Sequence, residues 1–312
     1  MIFVKLSKYR YLFCNFAPDW IYMKPNMRKF LILLISALMP ILASAQAQIN
    51  TKKVKISDFQ QKVTKVVLPG NTFYDSAFQE DIASSWRVSP YEFCSLEEFE
   101  TLKSSDKYYF LLLIQGQFKK EKEPGLQFIT LVKGGPDAAE GIGKMLEVAT
   151  VPFAAADSPS GREITYLPTL LDIIQNYALA SMEKDLSSLG GLSHFAINAS
   201  KAADKKIVFA EEDLSHEISE DVAAKEFDSL ISVVDADTVE GIVMENIPET
   251  IVSYVIVPED AVPGSFCYKL LIDTYNHELY YFRKHKISKK TGSGFLLEDI
   301  KRITGPRSKN RN

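Results

Sequence analysis

The sequence predicts an α/β protein (an α+β sandwich) of two tandem β-α-β-α-β-β units, with mixed sheets and an additional helix after each unit. Three observations favour this fold class. Short apolar runs end at Pro or Gly residues, as buried strands do. Segments with helical spacing of apolar residues separate these runs. The same order of apolar blocks returns 141 positions later in the chain, which indicates a repeated unit.

The first unit is assigned to residues 65–190. Ser95 and Glu98 have the spacing of a capping box, in which each side chain binds a backbone amide at the start of a helix. A charged segment at 119–125 is the predicted turn of a hairpin. The predicted elements are strands at 65–68, 91–94, 108–114, 126–132 and 146–153, and helices at 72–86, at 95–102 and from near Pro168.

The second unit is assigned to residues 200–304, followed by a basic tail at 305–312. Its first strand, at 206–209, lies 141 positions after the first strand of the chain, and later apolar blocks align at that offset without a gap. A hairpin turn at 275–278 and an amphipathic segment at 295–303 complete the unit. The alternative to a duplication is two unrelated α/β domains with a similar rhythm.

An export signal precedes both units. Two cations, an apolar run and the sequence Ala-Ser-Ala at 43–45 have the order of a cleavable secretory signal, so residues 27–45 are interpreted as a signal peptide. Its apolar run is too short to span a bilayer as a helix. Residues 1–26 are interpreted as a gene-model extension and 46–64 as a loose lead-in segment. We expect a periplasmic or secreted protein with no transmembrane segment after signal removal.

The charge and the cysteines limit the function classes. Without residues 1–45 the chain has 30 basic and 39 acidic side chains, a net charge of −9. This acidic balance argues against a nucleic-acid partner. Cys94 and Cys267 each lie in an apolar, strand-like segment. Two buried free thiols are expected, and a disulfide between them is the alternative.

Motifs for chemistry are missing from the sequence. The histidines form neither HExxH nor a pair at helical spacing, and His277 falls in a predicted turn, where a solvated role is expected. The Gly-rich segment at 134–144 has Ala138 where a phosphate-binding loop requires Gly, and Met145 where it requires Ser or Thr. Gly-x-Ser-x-Gly is absent, and the penicillin-binding pattern occurs only as fragments. We therefore expect no catalytic residue, no cofactor and no metal.

The first unit has a recognisable order of elements. An initial strand ends in Leu68-Pro69, a helix runs to Trp86, and a strand, a helix capped by Ser95 and a hairpin follow. This order resembles the small periplasmic domain found in the TolB N-terminal domain, the lipoprotein activators of penicillin-binding proteins and the curli secretion protein. The resemblance covers about 70 residues in each half, less well in the second. It carries no catalytic motif and implies a scaffold or partner-binding role at the cell envelope.

The segment 283–312 has an unusual charge, with ten basic and two acidic side chains. Its first cations follow a predicted strand, which can hold them in place. They could contact anionic lipid head groups, an acidic partner or the acidic body of the protein itself. For residues 305–312 a solvated tail is expected. The candidate residues for electrostatic contact are Arg283, Lys284, Lys286, Lys289 and Lys290.

These observations favour an exported envelope protein that acts as a non-enzymatic partner-binding or scaffold module. Its partner would be an envelope protein or an anionic surface. The alternatives are a hydrolase without a recognisable linear motif and a small-ligand-binding protein that uses the cleft between the two units. A pocket lined by converging polar groups would favour the alternatives.

Overall fold

A computed structural model of the chain describes residues 56–116, 124–156, 160–183, 192, 201–202 and 204–309. The predicted signal peptide, the residues before it and most of the lead-in segment lie outside this part, as do most of the predicted turn at 119–125 and residues 310–312. The described residues form two five-stranded mixed sheets, each followed by helices. The predicted fold class of two tandem units is therefore confirmed.

The first half of the described chain contains five strands and three α-helices. They are β1 (Val63–Val67), α1 (Thr72–Ser85), β2 (Tyr91–Cys94), α2 (Leu96–Leu102), β3 (Tyr108–Gly116), β4 (Leu126–Lys133), β5 (Leu146–Ala155) and α3 (Arg162–Glu183). The predicted capping box opens α2. The Ser95 hydroxyl accepts from the amide of Glu98 at 3.1 Å, and the Glu98 carboxylate accepts from the amide of Ser95 at 2.7 Å.

The second half repeats this series, with a shorter first helix and a shorter last helix. Its described elements are β6 (Lys206–Ala210), α4 (Glu220–Glu226), β7 (Ile231–Val234), α5 (Ala236–Met244), β8 (Thr250–Ile256), β9 (Phe266–Asp273), β10 (Leu279–Lys286) and α6 (Leu297–Lys309). The predicted turn at 275–278 joins β9 to β10. The predicted amphipathic segment corresponds to the residues that lead into α6 and its first two turns.

The two sheets have the same strand order. It is β2-β1-β3-β4-β5 in the first sheet and β7-β6-β8-β9-β10 in the second. In each sheet the first three strands of this order run parallel to one another, and each of the last two strands is antiparallel to the strand before it. Leu111 pairs with Leu131, and the residues 141 positions later, Val252 and Ile272, pair with each other. The predicted offset therefore holds in this hairpin.

The prediction of an ungapped alignment is wrong for the two strands before the hairpin. Val66 pairs with Leu111, whereas Val208 pairs with Val252, so β6 lies 142 positions after β1. Val66 also pairs with Phe93, and Val208 pairs with Ser232, so β7 lies 139 positions after β2. The physical reason is the crossover helix between these strands, which has 14 residues in α1 but only 7 in α4.

Helix α3 joins the two units. It packs against α1 and β5 of the first unit and against α5 of the second. The helix begins at Arg162, so Pro168, which the sequence placed near its start, lies inside it. His277, predicted to be solvated, has its Nδ1 2.7 Å from a carboxylate oxygen of Asp172 on this helix. That prediction was wrong because the β9–β10 turn contacts α3, which is distant in sequence.

The largest hydrophobic core contains residues of both units, among them Phe153, Leu170 and Tyr254. A smaller core lies on the opposite face of the second sheet, beneath α6. Ile56 and Phe59 of the predicted loose lead-in are buried in the large core, because two isolated apolar residues are enough to anchor that segment. Within the described ranges, no helix is both long and apolar enough to cross a membrane.

Candidate functional site

A buried ion pair lies where the two units meet. Both terminal nitrogens of Arg162, at the start of α3, donate to the carboxylate of Asp213 at 2.9 Å. The Ser253 hydroxyl of β8 donates to the same carboxylate at 2.6 Å and accepts from the amide of Ala210. Burial alone would lower the pKa of Arg162, but the hydrogen bonds and charge of Asp213 raise it above its usual value. The pair is therefore held within the protein by three side-chain hydrogen bonds to one carboxylate.

Two tyrosine rings fill the junction beneath this ion pair. Tyr166 of α3 and Tyr254 of β8 stack at 4.1 Å between ring centroids, with 9° between their planes. The guanidinium of Arg162 lies 5.7 Å and 5.4 Å from the two centroids. The Tyr166 hydroxyl donates to the carbonyl of Ser253, and the Tyr254 hydroxyl donates to that of Phe153. The junction is thus packed with side chains, and its polar groups bind one another across the units.

A second buried cluster anchors α6. Lys269 of β9 and Asp299 of α6 form an ion pair in which both side chains are fully buried. Asp299 also accepts from Tyr281 at 2.6 Å and from the amide of Leu296 at 2.9 Å. Burial tends to raise the pKa of Asp299, but the charge and hydrogen bond of Lys269 outweigh it and hold the pKa low. Arg283, one of the predicted contact residues, bonds Asp299 and Glu298 at 3.1 and 2.9 Å.

Cys267 and His285 are cross-strand neighbours on β9 and β10. The His285 Nε2 donates to the carbonyl of Gly292 at 2.8 Å, and the amide of Gly294 donates to the Cys267 sulfur at 3.3 Å. Burial raises the pKa of the Cys267 thiol to about 11 and lowers the pKa of His285. Burial thus favours the protonated thiol, which is the less nucleophilic form of cysteine. Cys94 and Cys267 are both free and buried, as predicted.

The other predicted contact residues form an exposed surface, here called the basic edge: Lys284, Lys286, Lys289 and Lys290. Two of them are held over aromatic rings. The Lys284 ammonium lies 5.3 Å from the centroid of Phe266 and 5.7 Å from that of Tyr268, and Lys286 lies 5.3 Å from that of Phe266. None of the four forms a salt bridge with a carboxylate of the described residues. Of the predicted contact residues, Arg283 therefore binds the protein's own carboxylates, whereas the four lysines do not.

A turn of the β8–β9 connection is attached to the same end of β10. The amide of Gly264 donates to the carbonyl of Ile287, and the amide of Ile287 donates to that of Ser265, both at 2.8 Å. The amide of Ser265 donates to the carbonyl of Val262 at 2.9 Å, which closes the turn. Val262 is 42% exposed despite its aliphatic side chain. The 262–265 turn thus places an exposed apolar residue beside the basic edge.

An open groove of about 610 Å³ lies beside the edge strand β2 of the first sheet. The Trp86 indole donates to the Ser89 hydroxyl at 3.1 Å, and Ser89 is also 2.7 Å from the Thr64 hydroxyl. These polar groups therefore bind one another and do not converge on the open space. The residues that line the groove are Gln60, Trp86, Arg87, Val88, Ser89, Pro90 and Tyr91.

Sequence reasoning found the basic edge but missed both buried clusters. Arg162 and Asp213 carry no shared motif, and they are far apart in the chain. Lys269 did give a signal, because a lone cation inside the apolar run of β9 requires a buried partner. Among the described residues, no group of His, Cys, Asp and Glu is arranged to hold a metal ion.

Comparison of the chain with protein-family models, with curated proteins and with solved structures finds no significant match.

Proposed function

We propose that this is an exported envelope protein that acts as a non-enzymatic partner-binding module, and that the basic edge is its contact surface. One observation carries the proposal: four exposed lysines lie together, and no described carboxylate forms a salt bridge with them. Several cations elsewhere are neutralised internally, as in the pairs of Lys133 with Asp58 and Lys205 with Asp273, and the described lysines that form no salt bridge there are spread along the chain. Unpaired charge of one sign on an acidic protein favours an anionic partner.

The buried polar groups support a structural role for both clusters. Asp213 is occupied by Arg162 and Ser253, and Asp299 by Lys269 and Tyr281. A general base or nucleophile must reach a substrate, and these carboxylates bind internal partners in the core. The packed tyrosine rings occupy the junction where a ligand-binding cleft between the units would lie. A binding surface on the outside of the protein is therefore the better supported function.

The test compares the binding of three proteins to envelope fractions by sedimentation. The first is the chain from residue 46 onwards, and the second replaces Lys284, Lys286, Lys289 and Lys290 with Gln. The third replaces four lysines elsewhere that form no salt bridge with a described residue: Lys107, Lys144, Lys206 and Lys225. We expect the basic-edge variant to bind roughly ten-fold more weakly or worse, since each surface Lys contributes about 1 kcal/mol near an anionic surface.

The control variant has the same net charge as the basic-edge variant. Because its basic edge is intact, it should bind nearly as well as the unchanged protein. All three proteins should unfold at nearly the same denaturant concentration, because every replaced side chain except the half-buried Lys144 is exposed. Equal binding by all three, or equal weakening in both variants, would show that the position of the lysines is irrelevant.

A further inference from the structure

We infer that the basic edge and the 262–265 turn together form a docking surface for the anionic lipid head groups of a membrane. This inference rests on the proposed function and names the partner. Four features carry it: the unpaired lysines, the rings that hold two of them, the exposed apolar turn beside them, and the hydrogen bonds that join the turn to β10.

The lysines present a broad, ordered positive surface. Lys284 and Lys286 alternate along β10, so they point to the same face of the sheet, where Phe266 lies between their ammonium groups. Lys289 and Lys290 follow in the turn after the strand. A Lys ammonium is a compact, strongly hydrated charge that can interact with many head groups without a defined pocket. This arrangement suits a surface of repeated anionic groups.

The 262–265 turn adds an apolar contact. Val262 and Pro263 are exposed at its tip, and the amide and carbonyl of Ile287 tie the turn to the end of β10. An aliphatic residue flanked by cations can enter the head-group region while the lysines contact lipid phosphates. Glu259 and Asp260 are exposed earlier in the same connection and offset part of the charge. Glu147 of β5 also interacts electrostatically with Lys284, so the local balance is four cations against three carboxylates and stays positive.

The same features favour a lipid surface over an acidic protein segment. A protein partner with fixed carboxylates is best bound by the planar, bidentate guanidinium of Arg. The one Arg in the predicted contact set, Arg283, is already bound to Asp299 and Glu298 beneath the sheet. What remains outside is four lysines and an aliphatic tip, which is the composition of a peripheral membrane contact.

The test measures binding of the chain from residue 46 onwards to vesicles of phosphatidylcholine alone and of phosphatidylcholine with phosphatidylglycerol. We expect binding only to the anionic vesicles, with a loss of roughly five-fold for each Lys→Gln change in the basic edge. Binding should also weaken steeply when the salt concentration rises about ten-fold, from roughly 0.05 M to roughly 0.5 M. Val262→Asp should weaken it further, whereas the variant of Lys107, Lys144, Lys206 and Lys225 should bind like the unchanged protein.

Two outcomes separate this inference from the proposed function. If the basic edge is required for sedimentation with envelope fractions but anionic vesicles are not bound, the lipid assignment is wrong and the partner is an envelope protein. If neither kind of binding depends on the basic edge, the proposed function fails as well. Vesicle binding that is unaffected by salt and by the four Gln replacements would also overturn the inference.

Discussion

The two units share one strand order, yet their last strands have opposite surroundings. In the first unit, β5 packs against α3 and contacts β8, and its Val151 and Phe153 are completely buried. In the second unit, the topologically equivalent β10 ends in the exposed Lys284 and Lys286. A duplicated fold provides two equivalent sheet edges. Here β5 is buried between the units, whereas β10 is buried at its start, where Leu279 joins the shared core, and exposed at its end, where Lys284 lies near Glu147 of β5.

The strands next to these, β4 and β9, also differ in the side chains that they bury. The hairpins β3–β4 and β8–β9 share their register at an offset of 141 positions, which makes Lys269 the equivalent of Phe128. The first unit therefore has a buried aromatic ring where the second has a buried ion pair that anchors α6. The second unit depends on charge in its core, whereas the first depends on apolar packing at the same place.

The largest expected effect comes from the ion pair that distinguishes the second unit. Replacing Lys269 with Ala leaves Asp299 charged and buried, which should lower the free energy of unfolding by roughly 3–5 kcal/mol. The double change Lys269→Met with Asp299→Leu should recover only part of this loss, because two apolar side chains need no partner but the Tyr281 hydroxyl and the Leu296 amide lose their acceptor. Denaturant unfolding of the three proteins measures both effects. A loss below about 1 kcal/mol for Lys269→Ala would contradict the buried pair.

The second-largest loss of stability is expected at the junction between the units. Asp213→Ala removes the partner of Arg162 and of the Ser253 hydroxyl, and we expect a loss of about 2–3 kcal/mol because Arg162 keeps slight access to solvent. A double-mutant cycle with Arg162→Met should give a coupling energy of at least about 1 kcal/mol. Additive losses in that cycle would mean that the ion pair does not hold the units together.

The smallest expected effect lies in α1, the long crossover helix of the first unit. Burial and the neighbouring charge of Glu80 raise the pKa of Asp81 to about 6. The folded state therefore binds a proton more tightly than the unfolded state, so this group reduces stability as the pH rises from about 4 to about 6. Asp81→Asn should stabilise the protein by about 1 kcal/mol at pH 7, a figure lowered for its partial exposure, and should have little effect at pH 4. Unfolding curves at both pH values provide the measurement.

Local signals allowed much of the fold to be predicted from the sequence. The apolar runs marked nearly every strand, and Ser95 with Glu98 marked the start of α2, because these patterns depend on neighbouring residues. The matching strand order followed from the repeated blocks. The contact of His277 with Asp172 and the pair of Arg162 with Asp213 could not be predicted, because each depends on how α3 packs between the units.

The candidate surface was only partly predictable for the same reason. The sequence grouped Arg283 with the four lysines because they are adjacent in the chain. Strand alternation places Arg283 on the face of β10 that packs beneath α6, where it binds Asp299. The 262–265 turn was missed, since its attachment to Ile287 depends on the β9–β10 pairing that brings distant residues together.

Hydrogen–deuterium exchange of the chain from residue 46 onwards, with and without vesicles that contain phosphatidylglycerol, tests the central claim most directly. The claim is that the basic edge at the end of β10 contacts a partner, whereas β5, the equivalent strand of the first sheet, only packs within the protein. We expect slower exchange on binding in residues 262–265 and 284–290, with no change in β5. Slower exchange in β5 or beside β2, with no change in the basic edge, would contradict the account.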